Sequence, residues 1–353
     1  MGETSRLTGG YLYHARVFAG LRERGIEVET LVASGATPAE QEAATSRLGL
    51  DPQRFDAIVV DALARIVCAP WIDGWRASRP VVAMVHELPS IAVGGEVARE
   101  QEFEEPLLRA DRLVVVSDHG RYILQGRGVP TERIRVVSPG FDRLSLPDAG
   151  SKYSASDNSV VRALCVAQCI PRKGTLDLVR AWTAHERPRA MLELIGEIDA
   201  DPAYATSVRA ALAGASDSSV RVRGPVDDAT LGAAYAHADL FVLPSRYEGY
   251  GIVYAEALAY GLPIVACDVG PVPEVVGEET ALLVPPDDVE ALSEALDRLL
   301  GDPALRRRMS EAAYCRVEGL PRWEDTTAGF LRVLQETQVL RSTRQPPYNL
   351  SEL

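Results

Sequence analysis

A chain of 353 residues with 46% apolar content has enough material for two packed domains. Its net charge of −13 argues against nucleic acid as a partner. No apolar run reaches the roughly eighteen residues of a membrane span, and His14 and Arg16 break the first apolar stretch, so neither a transmembrane segment nor a signal peptide is expected.

Short apolar runs alternate with helical patterns along the whole chain. The polar stretch Met1–Thr8 gives way at once to Gly9-Gly10 and a helical pattern over Tyr11–Arg24. A doubly wound domain ordinarily begins with a central strand. The expectation is therefore that this strand lies upstream of the sequence, rather than that another element fills its slot. Strands follow at Ile26–Val32, Ala57–Asp61, Val81–His86, Leu113–Ser117 and Ile134–Ser138, with helices over Glu96–Arg109 and Gly120–Gln125. Asp142–Asn158 is rich in Ser, Asp, Pro and Gly, lacks periodicity and reads as a linker. Beyond it come strands at Val160–Val166, Met191–Ile195, Val220–Arg223, Leu240–Leu243, Pro263–Cys267 and Ala281–Val284. Helices intervene over Leu176–His185, Ala203–Ala213, Asp228–His237 and Gly251–Tyr260, and Val289–Leu300, Pro303–Val317 and Trp323–Thr337 close the chain. Two βα repeats in succession predict an α/β protein with two Rossmann-like, doubly wound parallel sheets. The expected domains are 1–145, 146–320, a final helix over 321–340 and a polar tail over 341–353.

Five scattered cysteines, Cys68, Cys165, Cys169, Cys267 and Cys315, fit reduced core thiols better than disulfides, and their spacing makes no zinc set. The basic residues are 35 arginines and two lysines, Lys152 and Lys173. Arginine replaces lysine wherever only surface charge matters, so a lysine inside a motif is informative. Lys173 follows Arg172 where strand Val160–Val166 gives way to a helix. Cations there oppose the helix dipole unless an anion such as phosphate joins them.

The segment Leu240–Val276 places Glu248 and Glu256 eight positions apart, with Gly249 and Gly251 between them. Strand, polar loop and helix start follow in that order. Such a loop sets backbone N–H groups and a carboxylate at the carboxyl end of a parallel sheet, and Glu256 falls about two turns along the helix. The arrangement suits a hydroxyl-rich ligand. His86 ends its apolar run and is placed at the same kind of sheet edge.

Other candidates have simpler readings. Asp199-Ala200-Asp201 fits a metal pattern, but Pro202 makes Asp201 an N-cap. Ser117-Asp118-His119 has triad residue types but reads as a helix entry. The acidic run Glu100–Glu105 and the basic run Arg306-Arg307-Arg308 read as solvated helix faces.

As a set, these pieces resemble the retaining glycosyltransferase family 4, with the GT-B fold of two Rossmann-like domains facing a central cleft. The resemblance rests on Gly9-Gly10 before a helix, His86 after its strand, VVSPGFD at Val136–Asp142, PRKG at Pro171–Gly174, GPVDDATLGAAYAHADLFVLPS at Gly224–Ser245, and the Glu-x7-Glu spacing of Glu248 and Glu256. It implies transfer of a hexose-type sugar from a nucleotide diphosphate-sugar to an acceptor hydroxyl, with no cofactor and no obligatory metal. Lys173 would bind the donor diphosphate, Glu248 the donor sugar and Glu256 the ribose. Backbone N–H groups of Tyr250, Gly251 and Ile252 would face the diphosphate or sugar, Gly249 would belong to the same donor site, and Gly10 would admit the diphosphate. His86 would line the reaction centre, Val226 would lie near the base, and the final helix would cross back onto the first domain. Many members carry Gly-Arg five residues before the motif lysine, where this chain has Ala167-Gln168; Arg172 is expected to replace the missing cation. The alternatives are an epimerase or phosphorylase on the same architecture, or a non-catalytic nucleotide- or glycan-binding partner protein. A cytoplasmic monomer or homodimer is expected. Peripheral attachment to the inner membrane face is the less favoured arrangement.

Overall fold

The computed structural model describes residues 8–32, 35, 37–92, 97–146, 160–213 and 219–342. They form two compact units, one running to Pro139 and resuming at Trp323, the other spanning Gly140–Arg322.

The first unit is built on four parallel strands, β1 (Ile58–Asp61), β2 (Val81–Val85), β3 (Arg112–Val115) and β4 (Ile134–Val136), in the order β1-β2-β3-β4. Every residue of β2 and β3 is buried, as expected of parallel strands covered on both faces, and this is why β2 and the part of β3 after Arg112 read as apolar runs. Val81, Ala83, Val85, Leu107, Leu113 and Ile134 form the centre of the core. The helix Gly9–Glu23 starts where the Thr8 hydroxyl accepts from the Tyr11 N–H, and it packs against the last helix, Trp323–Ser342. Their contact needs Gly20, because a Cβ there would come within 2.6 Å of Thr327 Oγ1. Tyr13 sits between Trp323 and Phe330 and donates its hydroxyl to the Val137 carbonyl at 3.1 Å.

Two expectations for this unit are corrected. Ile26–Val32 is not a strand. It pairs with no strand among the described residues, and Leu31 and Val32 are exposed. Alternation alone does not make a strand without a neighbour to bond. The acidic face Glu100–Glu105 is not wholly solvated, since Glu104 is fully buried, ion-paired to Arg127 at 2.7 Å and bonded to Ser90. Short helices at Pro38–Ala44, Arg65–Cys68 and Ile72–Ser78 had no periodic signal long enough to be read.

The second unit carries six parallel strands, β5 (Val161–Val166), β6 (Ala190–Ile195), β7 (Val220–Arg223), β8 (Leu240–Leu243), β9 (Ile264–Cys267) and β10 (Ala281–Val284), in the order β10-β9-β8-β5-β6-β7. The chain winds outward from β5 in one direction and returns beside it with β8, so the switch point lies between these two strands. Asp201 caps the helix Pro202–Leu212 and Ser117 caps Asp118–Gly126. Arg306 departs from the solvated face expected of it; it is buried and donates to the carbonyls of Leu299 and Leu300 at the end of the preceding helix. Four of the free cysteines are buried, and Cys315 is exposed. The expected linker lies outside the described residues over 147–158, as does the tail over 343–353. No helix among the described residues is long and apolar enough to cross a membrane.

Candidate active site

The loops after β5 and β8 flank the switch point of the second sheet, where open α/β sheets bind ligands. After β5 the chain makes a single 3-10 turn, Pro171–Lys173, and Gly174 takes φ +67° before the helix Thr175–Thr183. Only glycine fits, because a Cβ at Gly174 would lie 2.1 Å from the Pro244 carbonyl oxygen. That close approach locks the two loops together and is reinforced by the Arg246 N–H donating to the Arg172 carbonyl at 2.8 Å.

Lys173 and Glu248 meet in this corner. The ammonium donates to Glu248 Oε1 at 2.6 Å, and the Ser245 hydroxyl donates to the same oxygen at 2.7 Å. The Arg172 guanidinium lies 3.8 Å from the other carboxylate oxygen and donates to the Tyr247 carbonyl at 3.2 Å. Burial pushes the Glu248 carboxyl up, but Lys173 and then Arg172, with hydrogen bonds from Lys173 and Ser245, outweigh it and hold the pKa below the usual carboxylate range. Glu248 is thus a buried anion at neutral pH.

Beyond it Gly251 takes φ +91°, where a Cβ would strike the Tyr254 ring at 2.4 Å, and the helix Ile252–Ala259 begins. The N–H groups of Ile252 and Val253, in its first turn, have no acceptor among the described residues. The helix after Lys173 differs. Its Leu176 N–H donates to the Tyr204 hydroxyl at 2.8 Å, and Asp177 in its first turn pairs with Arg246. The start best prepared for an anion is therefore the one after Gly251.

Glu256 sits apart from Glu248. It is buried, and its carboxylate is held by the Arg143 guanidinium and by the Tyr235 hydroxyl at 3.1 Å. Arg143 also pairs with Asp228. Burial raises the Glu256 carboxyl above the usual range, against the opposing pull of Arg143 and Tyr235. Gln168, at the end of β5, donates to Glu197 at 3.1 Å, and Val226 lies half-buried in the loop before the helix Asp228–His237.

The remaining predicted residues belong to the first unit. A Cβ on Gly10 would lie 3.6 Å from the His86 ring. His86 faces His14 and Asp61: its Nε2 is 3.3 Å from His14 Nε2 and 3.7 Å from Asp61 Oδ2, and His14 hydrogen-bonds the same Asp61 oxygen. Burial pushes His86 down to about 4, with Asp61 opposing and His14 adding to the effect, so the ring is neutral at physiological pH. Burial also pushes the Asp61 carboxyl up, but His14 and His86 hold it below its usual value.

Sequence reasoning did not find Arg143, Tyr235, Ser245, His14 or Asp61. Two of them carried a signal. His14 lies one helical turn after Gly10 on the same face, and Asp61 ends its apolar run as His86 ends the next.

Two parallel-sheet units, with ligand-type loops at a sheet switch point, define a protein of the GT-B class. Sucrose-phosphate synthase from Thermosynechococcus elongatus superposes with a TM-score of 0.75 at 25% identity, over 95% of this chain and 94% of that one. The sequence profile described as Glycosyl transferases group 1 matches residues 161–302. A D-inositol 3-phosphate glycosyltransferase from Kineococcus radiotolerans is 30% identical over 297 residues, covering 74% of this chain and 67% of the relative. An MMP alpha-(1->4)-mannosyltransferase from Mycolicibacterium hassiacum is 31% identical over 73% of this chain, a match that spans 65% of that relative's length. The chain belongs to the group 1 glycosyl transferases.

Proposed function

We propose that this protein is a retaining glycosyltransferase that moves a hexose-type sugar from a nucleotide diphosphate-sugar to an acceptor hydroxyl on a glycan, lipid or natural product, with no obligatory metal at the diphosphate. The observation that carries the proposal is the corner where Lys173 and Arg172 meet Glu248, in the loops that follow β5 and β8, with the unbonded N–H groups of Ile252 and Val253 opening the helix that comes next. The names of the relatives, a mannosyltransferase and an inositol-phosphate glycosyltransferase, fit the same reaction class.

The chemistry follows from charge. Departure of the nucleotide diphosphate leaves an oxocarbenium-like sugar and builds negative charge on the leaving oxygen. Two cations and a helix start stabilise that charge as it forms, the work otherwise done by a divalent metal. Arg172 takes the place of the cation absent at Gln168. Glu248, an ionised acceptor of hydrogen bonds, holds the hydroxyls of the donor sugar, and backbone at Gly249, Tyr250 and Gly251 admits the sugar closely. Glu256 accepts the ribose hydroxyls once Arg143 gives way, and Val226 lies beside the base. Gly10 and the neutral His86 lie together in the first unit, and His86 is assigned to the sugar.

The test incubates the protein with a panel of nucleotide diphosphate-sugars and hydroxyl acceptors in metal-free buffer, and reads the anomeric proton of the product by NMR. The expected product keeps the anomeric configuration of the donor. An inverted product, or turnover that appears only on adding a divalent metal, refutes the mechanism. Failure of every nucleotide diphosphate and nucleotide-sugar to raise the melting temperature refutes the donor class.

A further inference from the structure

Among the described residues, His14, Asp61 and His86 make the one group whose ligand atoms could hold a metal ion, all within 4.8 Å of one another. No single two-centre hydrogen bond serves all three groups. An Nε2–H on His14 satisfies Asp61 but leaves that nitrogen no lone pair for His86, 3.3 Å away. A bare Nε2 on His14 satisfies His86 but turns a lone pair on the carboxylate. His86 is 3.7 Å from the Asp61 oxygen, too far for a direct hydrogen bond. The three groups nevertheless turn their ligand atoms to one point, close enough together for a single cation to take all three.

We propose that His14, Asp61 and His86 form a binding site for a divalent transition-metal cation, with two imidazoles and one carboxylate as ligands and at least one coordination position open. The spacing of the two imidazoles supports it. Two ligands of a tetrahedral centre with metal–nitrogen bonds of about 2.0–2.1 Å lie about 3.3 Å apart, which matches the two imidazole nitrogens. The donor set is the imidazole–carboxylate mixture that suits zinc, iron or nickel, and not the all-oxygen cage that suits magnesium or calcium. The carboxylate is already oriented, because its other oxygen accepts from the Leu63 N–H at 2.6 Å. The ring of Tyr13 meets His86 edge-on and that of Phe18 lies against His14, walling the site on two sides. Cation binding replaces the His14–Asp61 hydrogen bond with two bonds to the metal. It also takes Nε2 of His86 out of use, so an occupied site and a sugar-facing His86 exclude each other.

The test uses the full chain freed of metal by chelator and titrated with Co2+, a spectroscopic stand-in for zinc, and needs no enzymatic readout; it therefore stands or falls apart from the transferase reading. A saturable visible absorption at one Co2+ per chain, displaced by Zn2+, is expected. His14→Gln and Asp61→Asn should each weaken binding roughly tenfold or more, while His237→Ala, on a helix of the second unit, leaves it unchanged. Far-UV circular dichroism confirms that each variant is folded. Absence of a saturable one-to-one complex, or binding that persists undiminished in folded His14→Gln and Asp61→Asn proteins, overturns the proposal.

Discussion

Replacing Lys173 by methionine keeps the volume of the stem and removes the ammonium that lies 2.6 Å from Glu248. The two side chains are 16% and 5% exposed. Removing one member of a buried pair strands the other's charge, at a cost of about 3–5 kcal/mol. Glu248 keeps Ser245 at 2.7 Å and Arg172 at 3.8 Å, which places the expectation at the lower bound, about 3 kcal/mol. For a unit of this size that is a fall of about 6–12 °C in melting temperature. Adding Glu248→Gln removes the stranded charge, so the double variant should recover about 1–2 kcal/mol. The pH dependence has a definite sign. The folded pKa of Glu248 is lowered, so its contribution is complete above the ordinary carboxylate pKa and is lost as pH falls through the folded value. Urea unfolding of wild type, Lys173→Met and the double variant, from neutral pH down to about pH 3, should show a gap that is full at neutral pH and closes in acid. A single variant as stable as wild type at neutral pH, or a gap that ignores pH, refutes the reasoning.

Gly174→Ala forces a left-handed backbone on a residue with a Cβ and drives that atom into the Pro244 carbonyl; the strain alone costs about 1–2 kcal/mol, and calorimetry should show weaker nucleotide-sugar binding as the two loops part. Arg143→Ala uncovers Glu256, so isothermal titration across a panel of nucleoside diphosphates should show tighter binding of the preferred one; equal or weaker binding contradicts the ribose role of Glu256. Arg127→Met strands the buried Glu104 carboxylate and should lower stability by about 3–5 kcal/mol in denaturant unfolding, with partial recovery when Glu104→Gln is added.

The buried strands β2, β8 and β9 were legible because parallel strands covered on both faces are unbroken apolar runs, and those runs carry their own boundaries. Ile26–Val32 shows the limit of that signal, since a strand exists only if a neighbour bonds it. Lys173 and Glu248 were legible as site residues because each lies in a loop between a strand and the next helix, but their contact, 75 residues apart in sequence, was not. Charged runs misled in one consistent way. Glu104 and Arg306 belong to runs of like charge, and only the folded structure reveals that these two turn inward to partners. Arg143 was invisible for a related reason. Its partner Glu256 lies 113 residues downstream, and nothing local marks an arginine as the guard of a carboxylate.

The return of the last helix to the first unit has a consequence for synthesis. The described strands of the second unit are complete once Val284 has been made, and its described helices once Val317 has. The first unit, though translated first, still lacks the surface that covers Tyr13 and meets Gly20 until Trp323, Thr327 and Phe330 emerge. The nascent chain therefore matures in the reverse of its order of translation: the half made second is finished first, while the half made first waits with an apolar helix face uncovered. That interval is when the chain is most exposed to aggregation, and a stop codon anywhere before Trp323 prolongs it indefinitely.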